Sequence, residues 1–197
     1  MGLPEKKELE SQAARAINQG ANPFWVEKMQ GGKTGVVGVM QFKTPGPVLA
    51  FRFDIDANDV TEAETEEHRP YKEGFSSVNK GVMHACGHDG HAAIGLALAE
   101  VLASIQDHLI GTIKLIFQPA EEGVRGAKSM MQKGIVDDVD YFIGMHLGTS
   151  LFKSGQLCCE TGGFLATTKL DAIYTGQPAH AGMAPESGRN ALLKLQP

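Results

Sequence analysis

Residues 83–118, MHACGHDGHAAIGLALAEVLASIQDHLIGTIKLIFQ, carry the order of elements from which the fold follows. Gly90–Ile105 is dominated by Ala and Leu, over a length that suits a largely buried helix. Thr112–Phe117 is a β-branched and aromatic run, hence a strand, and Gln118-Pro119 stops it. Upstream, Gly35–Phe42 and Val48–Ile55 have strand character and are joined by the turn Thr44-Pro45-Gly46-Pro47. Downstream, Val124–Lys133 reads as a short helix ended by Gly134, and Tyr141–Met145 as another buried strand. Alternating strands and helices in this order predict an α/β fold, a mostly parallel sheet flanked by helices.

Outside that layer the signals are weaker. Residues 4–19 read as a polar helix closed by Gly20, with a weak apolar stripe that needs something to pack against. Residues 57–85 have little periodicity and an acidic patch, Glu62 to Glu67, so they read as a solvated loop. After Gly162 the texture changes: Ala166–Tyr174 alternates apolar and polar, as a half-solvated strand does. A domain boundary is placed there, giving a catalytic domain at 1–162 and the beginning of an α+β domain at 163–197. A helix starting near Ser187 has run about two turns when the chain reaches Pro197. One strand and part of a helix cannot bury a core, so the expectation is a fragment, or a unit completed by a partner.

Bulk properties exclude several classes. The chain has 197 residues, 42% of them hydrophobic, and a net charge of −5 without a long basic run, which speaks against a nucleic-acid partner. No apolar run is long enough to span a bilayer, and the N-terminus lacks the apolar core of a signal peptide and the Ser or Thr of a myristoylation site. Three cysteines, Cys86, Cys158 and Cys159, fit a reduced, cytoplasmic setting. Gly31-Gly32-Lys33-Thr34 mimics the end of a P-loop, but position 27 is Glu rather than Gly, and a helical stretch precedes it. The Cys158-Cys159 pair has no other ligand types nearby and reads as a packed strand position.

The chemistry concentrates at strand ends. Cys86 and His88 flank Gly87 on the turn before the long helix, a spacing that can aim both donors at one metal ion. The strand ending at Phe117 runs into Glu121-Glu122, and the strand Tyr141–Met145 into His146. In open α/β sheets these strand ends share one edge. A thiolate, two imidazoles and a carboxylate could therefore converge, a donor set for Mn²⁺, Zn²⁺ or Co²⁺ that the thiolate draws toward softer ions. One of the adjacent glutamates can bind metal while its neighbour takes a proton from a water the ion acidifies, and returns it to a leaving amine. That combination reads as metal-assisted hydrolysis. His84 and His91 share the cluster and read as orienting their neighbours, whereas His68 and His108 read as surface residues.

His84–His91, Gln118–Gly123, His146 and Ala179-His180-Ala181-Gly182 with Pro185 together resemble the M20 family of metallopeptidases, in its aminoacylase and hippurate hydrolase branch. Phe51–Asp56 and His68–Tyr71 extend the resemblance along nearly the whole chain. It implies a zinc-peptidase-like catalytic domain followed by a lid or dimerisation domain. It further implies a two-ion site, manganese first and zinc as the alternative, that cleaves the amide bond of an N-acyl amino acid. By that pattern Cys86, His88, Glu122 and His146 are metal ligands and Glu121 is the general base and acid. His180 would polarise the scissile carbonyl, often across a dimer interface. The roles of Asp54 and Asp56 stay open. p-Aminobenzoyl-glutamate is the first candidate substrate, followed by indole-acetyl amino acids and hippurate-type conjugates.

The resemblance implies a homodimer, or a heterodimer with a related chain, and a late ligand histidine that these residues do not include. The chain alone is therefore expected to be nearly inactive. A reading from another class, a metal-binding but non-catalytic partner subunit, stands beside it.

Overall fold

The computed structural model describes residues 4–148 and, beyond them, 151, 153–159, 162, 166, 168, 170, 172–191 and 193. The chain divides into two compact units, Met1–Ser150 and Leu151–Pro197. In the first, β1 (Val36–Gln41), β2 (Thr44–Asp54), β3 (Ile110–Gln118) and β4 (Tyr141–Gly144) form one sheet in the order β1-β3-β2-β4. β2 is parallel to both β3 and β4, and β1 is antiparallel to β3. The sheet is mostly parallel, as expected. The short turn after β1 does not make a hairpin, because β3 inserts between β1 and β2. The register that matters pairs Asp54 with Gln118 and Arg52 with Gly144, so the parallel strands end together.

The helices are α1 (Lys6–Asn18), α2 (Pro23–Lys28), α3 (Arg69–Lys72), α4 (His88–Ser104) and α5 (Gly126–Met131). α4 crosses from β2 to β3 and lies on the sheet. Its sheet-facing stripe is His88, His91, Gly95, Leu98, Ala99 and Leu102, the i, i+3, i+4 spacing of one helix face. That stripe meets Phe53, Ile113, Leu115 and Phe117. Phe53 and Leu115 are nearly water-free, and burying each such side chain contributes about 1.5–3 kcal/mol. On the opposite face Lys114 donates to the Ile135 carbonyl at 2.9 Å and pairs with Asp138, tying the segment after α5 to β3.

Three expectations are corrected. α4 is not largely buried: Leu96 and Val101 are 61% and 55% exposed, because among the described residues the sheet covers one side of the helix only. β4 is exposed throughout, since among the described residues it is an edge strand paired with β2 alone. Residues 57–85 are more than a solvated loop. They contain α3 and a bridge between Asn58 and Met83, and His68 is paired with Glu62 at 2.8 Å instead of standing free at the surface. The other Glu62 oxygen accepts the Ser77 N–H. These two hydrogen bonds, His68 first, hold the Glu62 carboxyl below the usual range.

In the second unit Gln177 bridges Arg189, and Pro185–Ser187 form a 3₁₀ turn. Within the expected strand Ala166–Tyr174 and the expected boundary at 162/163, several positions, Gly163 among them, lie outside the described residues, and the described positions of 166–174 are not in a strand. The helix expected from Ser187 does not start there, because Gly188 is extended and Arg189 bridges Gln177; residues 192 and 194–197 lie outside the described residues.

Candidate metal centre

The parallel strands deliver their chemistry to one edge. β2 runs into Asp54 and Asp56, β3 into Glu121 and Glu122, and β4 into His146, while the turn before α4 brings Cys86 and the first turn of α4 brings His88 and His91. Gly87 sits between the first two with φ +81, a left-handed turn that a Cβ would strain. Cys86 Sγ lies 3.4 Å from His146 Nε2. Ligand atoms of Cys86, His88 and His146 all fall within 4.8 Å of one another, and so do those of His88, Glu121 and Glu122. The four expected ligands and Glu121 therefore meet around His88.

Hydrogen bonds at the far side of each ring set which nitrogen is available. His88 Nδ1 donates to the Asp56 carbonyl at 2.9 Å, which leaves the lone pair of the neutral ring on Nε2. That Nε2 is buried without a hydrogen-bond partner, 4.0 Å from Glu121 Oε2. His146 Nδ1 donates to the Leu147 carbonyl at 2.8 Å, so its Nε2 faces Cys86 as an acceptor. A buried, unbonded lone pair beside a thiol and two carboxylates is what a divalent ion requires, and these residues fit one.

His91 differs. Its Nε2 accepts the Leu147 N–H at 2.9 Å, which places the ring proton on Nδ1, 3.8 Å from Asp54 Oδ2. Asp54, His88 and His91 also lie within ligand distance of one another, but a protonated Nδ1 has no lone pair to offer. The trio does not read as a second ion site. Burial, followed by the neighbouring His146 and His88, pushes the His91 pKa down to about 4. Burial also raises the Asp54 carboxyl, against the pull of its partner Arg52. Cys86 is raised above the ordinary thiol value by burial first and then by the Glu122 and Glu121 carboxylates.

Asp54 and Asp56, whose roles the sequence left open, are structural members of the site. Asp56 Oδ2 accepts the Glu122 N–H at 3.0 Å while its carbonyl holds His88, so one residue orients two candidate ligands. Asp54 is fully buried against Arg52, whose Nε donates to Gln118 Oε1 at 2.9 Å. The available signal was two acids at i and i+2, closing an apolar strand. Ala120 and Val124, flanking Glu121-Glu122, both have φ +55, and for a β-branched Val that is an outlier. Such strain costs about 1–3 kcal/mol per residue and collects at functional loops.

His84 is exposed, and so are Cys158 and Cys159, which do not occupy the packed strand position expected of them. No described element encloses residues 156–159. His180 belongs to the second unit, where it is exposed and its Nδ1 accepts the N–H groups of Gly182 and Met183 at 3.2 and 3.1 Å.

Peptidase family M20/M25/M40 matches this chain over residues 50–188. The chain belongs to that family. It is 53% identical over 193 residues to a p-aminobenzoyl-glutamate hydrolase subunit of Escherichia coli, covering 98% of this chain and 44% of that protein. It is 54% identical over 193 residues, with the same coverage, to the indole-3-acetyl-aspartic acid hydrolase of Enterobacter agglomerans. Among solved M20-like structures, an aminobenzoyl-glutamate utilization protein from Klebsiella pneumoniae superimposes with a TM-score of 0.63 at 36% identity, over 99% of this chain and 43% of the other. A dinuclear metal-binding M20 peptidase from Bacillus subtilis gives 0.55 at 33% identity, over 73% and 38%. The chain spans less than half the length of the Escherichia coli and Enterobacter relatives.

Proposed function

We propose that this M20 chain carries the metal-binding part of an amidohydrolase that cleaves the amide bond of an N-acyl amino acid. The observation that carries the reading is the meeting of Cys86, His88 and His146 ligand atoms within 4.8 Å, with the His88 Nε2 lone pair buried and unbonded. Cys86, His88, Glu122 and His146 would hold the ions, manganese first and zinc as the alternative, in a two-ion site like that named for the Bacillus subtilis relative. When bound, a divalent ion supplies a Lewis acid for the scissile carbonyl and acidifies the attacking water. Glu121, its side chain 38% exposed, receives the water proton at Oε2 and returns it to the leaving amine. Asp56 keeps Glu122 and His88 in place while this happens. For His180 the resemblance implies polarisation of the scissile carbonyl across a dimer interface; its Nδ1 accepts two backbone N–H groups, so the neutral ring carries its proton on Nε2.

p-Aminobenzoyl-glutamate, cleaved to p-aminobenzoate and glutamate in the use of folate catabolites, is the first substrate, supported by the Escherichia coli relative's name. Indole-3-acetyl amino acids come next, on the equally similar Enterobacter relative, and hippurate-type conjugates after them. The Escherichia coli relative is one subunit of its hydrolase, which supports assembly as a dimer, with a second copy or a related chain. A cytoplasmic setting accords with three free cysteines, and among the described residues no helix is long and apolar enough to cross a membrane.

The test combines metal titration with Glu121→Gln in protein isolated from its native source with any partner retained. Loss of hydrolysis with metal content unchanged supports the proposal. Metal binding without hydrolysis in the wild type would favour a non-catalytic partner subunit, while absence of metal uptake would refute both.

A further inference from the structure

Leu147 is held from three sides. Its N–H goes to His91 Nε2 at 2.9 Å, and its carbonyl accepts the His146 Nδ1–H at 2.8 Å. Its side chain lies against the first turn of α4, where a Cβ at Gly90 would come 2.5 Å from Leu147 Cδ1 and one at Gly87 3.3 Å. The His91 and His146 rings stand edge to face with centroids 4.6 Å apart. His146 itself is exposed, as is the strand it follows, so packing does not hold it. His91, by contrast, is fully buried in the packed stripe of α4. The rigid member of the pair is therefore the one that bonds no candidate ligand directly.

From this geometry we infer that His91 is a positioning residue for the metal centre, acting on His146 through the Leu147 peptide and binding no ion itself. His146 presents Nε2 to Cys86 only while the Leu147 carbonyl stays where His146 Nδ1 can reach it. The orientation of that stretch of chain is set by the Leu147 N–H on His91. The inference rests on the metal-centre reading proposed above and adds a residue to it.

The test uses Co²⁺ with the full chain, following visible absorption in which thiolate-to-cobalt charge transfer reports Cys86. His91→Gln places an amide oxygen near the Nε2 position and keeps an acceptor for Leu147, whereas His91→Asn is too short to reach it. His91→Gln should stay close to wild type, and His91→Asn should bind roughly 10- to 100-fold more weakly. Adding His91→Asn to His146→Ala should cost nothing beyond His146→Ala alone, because both act on one ligand. Equal affinities for the Gln and Asn variants, or additive losses, would overturn the positioning role and leave the metal centre standing. Absence of Co²⁺ uptake by the wild type would overturn the metal centre and the inference with it. A variant-free measurement gives a second test. Two-bond ¹H–¹⁵N spectra of the metal-free chain should show His91 and His146 both as Nδ1–H tautomers, and an Nε2–H tautomer at His91 overturns the inference however the variants behave.

Discussion

Replacing Gly95 by Ala sets a local preference against tertiary packing at the centre of α4. Helix propensity alone favours the change by about 1 kcal/mol, since Gly in a helix interior is that much worse than Ala. The packing opposes it. An added Cβ would sit 2.7 Å from Phe117 Cε1 and 2.8 Å from Phe53 Cδ2, so the nearer ring must retreat by about 0.7 Å to reach an ordinary 3.4 Å contact. The two rings already press on each other with centroids 5.5 Å apart, and Phe53 is almost completely buried. Overpacking of this kind costs about 1–3 kcal/mol; with two aromatic rings displaced, the upper part of that range applies, and the net loss is about 1–2 kcal/mol. Phe53 and Phe117 immediately precede Asp54 and Gln118, and His91 lies one turn before Gly95, so the displacement also reaches the candidate site. Urea unfolding followed by circular dichroism should show the midpoint falling by roughly 0.5–1 M for a slope of about 2 kcal/mol per M. Ala97→Gly, on the exposed side of the same helix, should lose about 1 kcal/mol by propensity alone, so changes in both directions destabilise. A Gly95→Ala midpoint that is unchanged or higher would refute the close seating of α4 on the sheet.

Metal binding should displace the Cys86 proton, because burial and two carboxylates keep the thiol protonated at neutral pH. Calorimetry in buffers of different ionisation enthalpy should find about one proton released per thiolate bound, absent in Cys86→Ser, with affinity rising as pH rises; a pH-independent affinity contradicts this. For the metal-free chain, His91 titrates near 6.5 when unfolded and about 4 when folded. The unfolded state therefore binds more protons between those values, and stability is full above pH 6.5 and falls as the pH drops toward 4. The loss is at most about 3 kcal/mol, read as the difference in pH dependence between wild type and His91→Gln, and parallel curves would count against it. Val124→Gly relieves a left-handed β-branched residue two positions after Glu122 and should raise stability by up to about 1 kcal/mol; a lower unfolding midpoint would mean that the loop is not strained there.

Much of this was legible from residues alone. β3 announces itself by its β-branched run, and α4 by its length and composition. The candidate donors Cys86, His88, Glu121-Glu122 and His146 are a matter of side-chain chemistry, and their placement at strand ends follows from a general property of parallel sheets. Other features depended on which strands met. β1 and β2 are neighbours in sequence but not in the sheet, because β3 pairs between them. The helix expected to be buried is covered, among the described residues, on one side only, which its own composition does not reveal.

The sequence by itself determined the candidate donor set and the order of elements, because both reside in local chemistry and periodicity. Only the tertiary structure decided which nitrogen each imidazole presents. His88, His91 and His146 are the same side chain, and their difference lies entirely in their hydrogen-bond partners. The Asp56 carbonyl frees Nε2 of His88, and the Leu147 carbonyl does the same for His146. The Leu147 amide occupies Nε2 of His91. Those partners lie 32 and 56 residues away for His88 and His91, and they come within reach only when the parallel strands end in register.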